Sequence, residues 1–178
     1  MRKALLCAGI LCLGLALVIA AEKESTAPAH KPPAKSHPGF ERLKALAGEW
    51  DGKTSGGGAV HVTYRIASSG TALMETLDTP DGANMITMYH PDGNRLMVTH
   101  YCSSNNQPRM ATRPGDSASG PIVFDYVDVT NLEASTEGVM TGLTLTLEDA
   151  DHISQTWTFR DKPGGSPQSD TFRYVRKK

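Results

Sequence analysis

The segment from Tyr89 to Met110 carries the highest density of chemically competent side chains in the sequence. His100 and Cys102 lie two residues apart, so on a strand both side chains would project from one face. A neutral imidazole and a thiolate on one face are two ligands of a zinc or copper site. Glu75 and His61 are the candidates for a third ligand from another strand. The alternative is a packed histidine beside a buried free cysteine, which is the commoner role of both residue types.

A catalytic role for Cys102 requires a base that lowers the pKa of its thiol. His100 would lie on the same face, but adjacent same-face positions of a strand rarely give the aligned hydrogen bond that activation needs. No cysteine-hydrolase motif surrounds Cys102. The sequence therefore assigns no catalytic residue and favours a protein that is not an enzyme.

A polar cluster of Asn105, Asn106, Gln107 and Arg109 follows the predicted strand. The Arg109 guanidinium has the geometry to hold a carboxylate with two hydrogen bonds, either that of a ligand or that of Glu75. The alternative is a turn whose amide side chains bond to their own backbone.

Alternation of apolar and polar residues places these side chains on β-strands. From Trp50 onward the hydrophobic period is close to 2, as in Val60-His61-Val62-Thr63-Tyr64. Turn residues such as Pro80-Asp81-Gly82 separate the runs. The pattern predicts about ten strands, near 49–54, 59–68, 72–78, 84–90, 94–101, 107–112, 121–129, 140–148, 152–160 and 169–176.

Short strands joined by tight turns predict an all-β, up-and-down antiparallel barrel, and closure would remove the exposed sheet edges. An open sandwich of two sheets is the alternative. A short amphipathic helix is predicted before the first strand, over 40–47. Apolar residues also occur on the second face of several strands, as at Met74, Ile86 and Met88. Either the helix and loops cover the outer surface, or flexible methionines line an interior cavity.

The amino-terminal 38 residues are predicted to lie outside the barrel. Residues 1–20 combine Arg2 and Lys3 with an apolar run that ends in small residues, which is typical of a cleaved signal peptide. A retained membrane anchor is the alternative, as is lipid attachment at Cys7 or Cys12. Residues 21–38 are rich in Pro, Ala and Lys and predict a disordered linker. The barrel domain is therefore assigned to 39–178, and the protein to the periplasm or the secreted fraction.

The charge balance excludes one class of partner. With 18 basic and 19 acidic residues the formal net charge is −1, and there is no basic stripe for nucleic acid. Removal of the signal would leave Cys102 as the single cysteine, so the core must supply the stability that an intrachain disulfide would otherwise add.

Two stretches resemble a known protein family. Leu43–Gly52 is similar to the helix and Gly-x-Trp start of lipocalin-like barrels, and residues 40–176 resemble an uncharacterised bacterial group of exported proteins of this kind. Thr99–Cys102 and Asn106–Met110 carry that resemblance. It implies a calycin-type barrel and brings no established catalytic role.

More distantly, the Gly-x-Trp-x-Gly start resembles that of nitrobindin-like haem proteins. Those proteins bind haem through a histidine of the last strand. The corresponding segment here, Asp170–Arg176, contains no histidine, and the nearest one is His152 in the preceding strand.

Three functional hypotheses follow. The favoured one is a binding protein that holds a small apolar or amphipathic molecule inside the barrel and uses no cofactor. The second is a haem- or zinc-dependent enzyme or sensor that uses His100 and Cys102, and the third is a solid barrel that acts as an interaction module of an envelope assembly. The residues predicted to contact the ligand are Trp50, Glu75, Tyr89, His100, Tyr101, Gln107 and Arg109.

Overall fold

The computed structural model describes residues 37–132, 138–162 and 164–178, which form a short helix and ten strands. The predicted signal peptide, 1–20, and linker residues 21–36 lie outside the described residues. The helix, α1, spans Pro38–Lys44. The strands are β1 (Gly48–Lys53), β2 (Ala59–Ala67), β3 (Ala72–Asp78), β4 (Asn84–Asp92), β5 (Arg95–Tyr101), β6 (Gln107–Ala111), β7 (Ile122–Thr130), β8 (Val139–Leu147), β9 (His152–Arg160) and β10 (Gln168–Arg176).

The strands form a closed antiparallel barrel in which each pairs with its neighbour in sequence. β1 closes the barrel against β10, with Trp50 opposite Arg176 and Lys53 opposite Arg173. This pairing confirms the up-and-down barrel and excludes the open sandwich, because it joins the first strand to the last. The observed strand limits differ from the predicted ones by no more than two residues.

The turns have the chemistry that the sequence indicated. Gly82 and Gly93 adopt φ values of 81° and 62°, a region that glycine enters without a Cβ clash. At the β8–β9 turn, the Asp149 carboxylate accepts hydrogen bonds from the backbone N–H groups of Asp151 and His152, both at 2.8 Å. The side chain thereby replaces backbone partners that a tight turn cannot provide.

Helix α1 closes one end of the barrel. Its apolar residues Phe40 and Leu43 belong to the hydrophobic core, together with Leu46 just after it. The Arg42 guanidinium donates to the carbonyl oxygen of Ser117, in the β6–β7 loop, at 2.9 Å. The helix begins at Pro38, earlier than the predicted residue 40, because proline is preorganised for the first helical turn. No helix among the described residues has the length and apolarity to cross a membrane.

The other end of the barrel is formed where β5, β7 and β9 finish and β6, β8 and β10 begin; it is called the open end below. Half-buried Met85, Met140 and Phe172 pack against the core there. By contrast, Met74 and Met88 are cross-strand partners on the outer face, since their neighbours Leu73 and Tyr89 face the core. These two methionines therefore line no interior chamber.

Candidate functional site

A row of polar side chains crosses four adjacent strands inside the barrel. Tyr64 on β2 pairs with Glu75 on β3, Glu75 with Thr87 on β4, and Thr87 with His100 on β5. All four face inward, and each is at most 2% exposed. Since directly paired residues of antiparallel strands point to the same side, the register alone brings this row together.

Glu75 is the centre of a buried hydrogen-bond network. Its Oε2 accepts a hydrogen bond from the Tyr89 hydroxyl at 2.7 Å and another from Gln155 Nε2, also at 2.7 Å. The same Gln155 nitrogen lies 2.6 Å from the Tyr64 hydroxyl oxygen. On the far side, the Trp157 indole N–H donates to Gln155 Oε1 at 3.1 Å. The network thus spans the barrel from β3 and β4 to β9.

Burial controls the ionisation of this network. Loss of water around Glu75 raises the pKa of its carboxyl, and the hydrogen bonds from Tyr89, Tyr64 and Gln155 offset part of that rise. Burial also raises the pKa values of the Tyr64 and Tyr89 phenols well above the ordinary value, and the neighbouring Glu75 charge adds to the effect. The phenols are therefore donors throughout the physiological range.

His100 is held as a neutral imidazole near the open end. Its Nδ1 lies 2.9 Å from the Thr87 hydroxyl, and its ring packs against the Trp157 indole with the ring centres 4.7 Å apart. Burial lowers the pKa of His100 to about 4, because the cation would lose its hydration.

Three buried polar atoms in this half of the barrel lack a hydrogen-bond partner among the described residues: Glu75 Oε1, His100 Nε2 and Asn106 Oδ1. Asn106, next to the start of β6, donates through its Nδ2 to the Gly138 carbonyl oxygen at 2.9 Å. A buried polar atom without a partner costs on the order of 1–3 kcal/mol. Each is therefore a place where a water molecule or a ligand atom would bind favourably.

The middle of the barrel is filled by aromatic side chains. Eight strands make a barrel whose interior side chains just fill it, so ten strands need larger residues to do the same. A side chain facing an internal chamber wide enough for water would keep accessible surface. The aromatic residues here keep almost none: Trp50 0%, Tyr64 1%, Tyr89 0%, Phe124 1%, Trp157 3% and Tyr174 1%. The described residues therefore leave no cavity in the part of the barrel that these aromatic side chains fill, where an interior ligand site was predicted.

The seven residues predicted as ligand contacts separate into three groups. Glu75, Tyr89 and His100 belong to the interior network described above. Trp50 is also buried, but at the helix end, where its indole N–H donates to the Leu46 carbonyl oxygen at 2.9 Å. Tyr101, Gln107 and Arg109 lie apart from the interior network.

The outer positions follow from strand alternation. Tyr101 is next to inward-facing His100, so it points outward, and it is 49% exposed. Arg109 also faces outward and forms a bidentate ion pair with Asp128 across β6 and β7, with Nε 2.6 Å from Oδ1. Of the two carboxylates considered for Arg109, that of Glu75 is therefore excluded, since Arg109 pairs with Asp128 instead. Gln107 is half-buried at the start of β6, and its Oε1 accepts a hydrogen bond from Thr130 at 3.1 Å.

His100 and Cys102 do not form part of a metal-ligand cluster in the described residues. Strand β5 ends at Tyr101, so the same-face spacing predicted for Cys102 is lost in the turn that follows. No group of three or more His, Cys, Asp or Glu side chains suited to a metal ion occurs in the part of the chain that the structure describes. Haem and zinc dependence remains a prediction.

The sequence did not indicate a cleft in the barrel wall between β7 and β8. These strands pair only from Ile122–Leu145 to Asp125–Gly142, and beyond that point β7 pairs with β6 alone. The two strands diverge toward the open end and leave a cleft of about 540 Å³. This volume lies within the range of small-molecule sites, which is roughly 300–1,000 Å³.

The cleft lies next to the core. Phe124 and Leu143 border it, but each is only 1% exposed, so they offer a ligand almost no open surface. Its walls include apolar residues that remain exposed, among them Val123, Tyr126 and Leu132 at 45%, 45% and 36%. The glycine of β8, Gly142, also lines the cleft. In a strand interior, glycine often marks close approach of another group.

Two cations, Arg160 and Lys162, line the same cleft. Arg160 ends β9 directly opposite Val139 of β8, and Lys162 follows in the β9–β10 loop. Both side chains are exposed. The ion pairs and side-chain hydrogen bonds between described residues involve neither cation. The cleft thus combines exposed apolar side chains with two cations at its margin.

No family model and no curated protein sequence matches the chain. Solved structures do match. Rv2717c from M. tuberculosis superposes with a TM-score of 0.60 at 15% identity and covers 79% of this chain and 98% of its own. A protein of unknown function from the DUF3598 family of Nostoc punctiforme has a TM-score of 0.52 at 12% identity and covers 76% of this chain and 48% of its own. These likenesses place the chain among ten-strand antiparallel barrels and show the fold alone.

Proposed function

We propose that this chain is an exported, non-catalytic binding protein for a small apolar or amphipathic molecule. The ligand lies at the open end of the barrel, in the cleft where β7 and β8 diverge, rather than at the filled centre. Closed antiparallel barrels are suited to this role, since the continuous sheet gives a rigid wall around a small site. The signal-like amino terminus supports export to the periplasm or beyond.

The cleft between β7 and β8 carries this proposal. It is large enough for a small molecule, and the exposed apolar side chains of Val123, Tyr126 and Leu132 line it. Burial of apolar surface there would stabilise a complex by about 25 cal/mol per Å².

Substitution of Gly142 provides a direct test. A Cβ at this position would meet Thr158 Cβ at 3.4 Å and the Phe124 carbonyl oxygen at 3.7 Å, which are ordinary contacts. Gly142→Leu should therefore fold and fill the cleft. We expect saturable binding of the neutral fluorophore N-phenyl-1-naphthylamine to the full chain, weakened at least about tenfold by Gly142→Leu.

The matched control is Thr76→Leu, on the outer face of β3, which should bind the fluorophore like the wild type. Thermal unfolding of both variants checks that they are folded. Native mass spectrometry of protein purified from its own host should also show a bound small molecule. Absence of saturable fluorophore binding, or equal binding by folded Gly142→Leu, would overturn the proposal.

The filled centre of the barrel favours a second candidate, an interaction module of an envelope assembly. On the outer face Tyr101 is paired with Ile86 across β4 and β5, and its ring is 49% exposed. A photo-crosslinking amino acid at position 101 in the native host would capture a specific partner. Crosslinking no stronger than at the exposed position Arg65 would argue against this role.

A further inference from the structure

We infer that the β7–β8 cleft selects free amphiphiles with one apolar chain and an anionic headgroup, such as a carboxylate or a sulfate. This inference rests on the proposed function and specifies the ligand class of the same site. It is carried by the two cations that line the cleft, Arg160 and Lys162, and by the exposed apolar side chains that line it with them. A ligand with its chain against the apolar lining would bring its headgroup to the cations.

The charge at the margin is not neutralised by the described residues. Neither Arg160 nor Lys162 takes part in an ion pair with another described side chain. The acidic residue that lines the cleft, Asp125, has its own cation, since its Oδ2 lies 3.5 Å from Arg113 Nε. Among the described residues, the margin therefore presents two cations without an ion-pair partner; with Asp161 between them in sequence, residues 160–162 carry two positive charges and one negative charge, a formal net charge of +1.

The shape of the cleft favours a single chain. On the β7 side exposed Val123, Tyr126 and Leu132 give the cleft an apolar lining, interrupted by Asp125. A volume of about 540 Å³ suits one small ligand. Because the cleft is a recess in the wall, a free amphiphile can enter it, whereas a chain anchored in a bilayer would have to leave the membrane.

Arg160 contributes a defined hydrogen-bonding geometry as well as a positive charge. A guanidinium presents its N–H groups in a planar fork that matches the two oxygens of a carboxylate, and lysine adds a mobile point charge. Exposed ion pairs are individually weak. The expected preference for an anion is therefore moderate, and it should decrease as salt screens the charges.

Three amphiphiles with the same alkyl chain separate charge from apolar burial. Dodecanoate, dodecanol and dodecyltrimethylammonium are titrated against bound N-phenyl-1-naphthylamine, below their micelle concentrations and at low salt. We expect dodecanoate to displace the fluorophore at about tenfold lower concentration than dodecanol, and the cation to be weakest.

The double variant Arg160→Gln with Lys162→Gln should abolish the preference for dodecanoate and leave dodecanol binding unchanged. The matched control, Arg65→Gln with Arg173→Gln, removes two exposed arginines from β2 and β10 and should keep the preference. Arg160→Lys keeps the positive charge and should keep part of the preference for dodecanoate. Thermal unfolding confirms that each variant is folded.

The outcomes distinguish the inference from the function on which it rests. Equal binding of dodecanoate and dodecanol would overturn the inference and leave the proposed function intact. Binding of none of the three, together with failure of the fluorophore to bind, would overturn both. Binding to phosphatidylglycerol vesicles without displacement by dodecanoate would also overturn the inference, because the ligand would then be a membrane surface.

Discussion

Glu75 and His100 share one apolar interior, and burial acts on them in opposite directions. It raises the pKa of the Glu75 carboxyl, because the charged form is the deprotonated one. It lowers the pKa of the His100 imidazole to about 4, because the charged form is the protonated one. Each residue therefore makes stability depend on pH in its own window.

For Glu75, the folded chain holds the proton more tightly than the unfolded chain. Its contribution is fully present below the unfolded pKa, near 4.5, and is lost as pH rises through the folded value. Glu75→Gln removes this dependence. Urea unfolding from about pH 5 to about pH 8 should show the wild type losing stability relative to the variant, by at most about 1.4 kcal/mol per pH unit. A constant difference across that range would contradict a raised pKa.

For His100, the neutral imidazole stabilises the folded chain above the unfolded pKa of 6.5, and this contribution is lost as pH falls through about 4. Relative to His100→Gln, the wild type should lose about 3 kcal/mol of unfolding free energy between about pH 7 and about pH 4. Loss of the Trp157 contact adds an offset that does not vary with pH. An NMR titration of the His100 ring with a midpoint near 6.5 would contradict the prediction.

The interior residues show what alternation can and cannot predict. His100 was selected for its spacing from Cys102, and Glu75 as a possible third ligand from another strand, and strand alternation then places both inside the barrel. Gln155 occupies the same kind of position, between Ile153 and Trp157, but its contact with Glu75 joins β9 to β3, which are not neighbours. Only the curvature of the closed barrel brings those strands face to face. The outward direction of Tyr101, by contrast, follows from its position next to His100.

At the scale of strands and turns, the sequence predicts what local chemistry determines. Strand limits follow from alternation and from turn residues such as Gly82, and the helix was displaced by only a few residues. Neither turn residues nor the alternation of apolar and polar residues indicate that β7 diverges from β8. Tyr126 faces Met110 of β6 after a shift in register between Arg109 and Met110, so the direction of β7 is set by its pairing with β6. The alternation of apolar and polar residues within one strand does not predict a register shift relative to its neighbour.

The divergence predicts uneven protection along β7. Residues of Ile122–Asp125 pair with β8, whereas Tyr126–Thr130 run along β6 and have no pairing with β8. Backbone N–H groups of the second segment that point toward β8 lack a strand partner, so their hydrogens should exchange faster. Hydrogen exchange followed by NMR would measure this for each residue. If, within Tyr126–Thr130, the N–H groups that point toward β8 are protected as well as those that point toward β6, then β7 and β8 stay paired in solution.

At the scale of the whole barrel, the two ends differ in construction. One end is sealed by α1 and by the last inward-facing residue of β10, Arg176. The other carries half-buried Met85, Met140 and Phe172, the unpartnered atoms of His100 and Asn106, and the β7–β8 cleft. The proposed binding site therefore lies at the end opposite the contacts of α1 and Arg176, and substitutions at the sealed end should alter stability without altering binding.

Arg176 is the residue that joins the elements of the sealed end. Its guanidinium lies over the Trp50 ring, 4.1 Å from the ring centre. It donates to the carbonyl oxygens of Ala45, Ala47 and Ala150 at 2.9, 3.0 and 2.9 Å. The carbonyl oxygens just after α1 have no N–H partner within the helix, and Arg176 supplies one. The same side chain thereby connects the end of α1 to β1 and β10.

Arg176→Ala should lower the free energy of unfolding by about 3 kcal/mol, because three hydrogen bonds and a cation–π contact are lost together. Arg176→Lys should recover only part of this loss, since an ammonium lacks the planar fork that reaches three carbonyls. The control, Arg173→Ala, removes an exposed arginine of the same strand and should change stability by about 0.5 kcal/mol or less. Urea unfolding measures all three, and the fluorophore should bind each folded variant like the wild type. If Arg176→Ala is no more destabilising than Arg173→Ala, or weakens fluorophore binding while folded, the division of roles between the two ends is wrong.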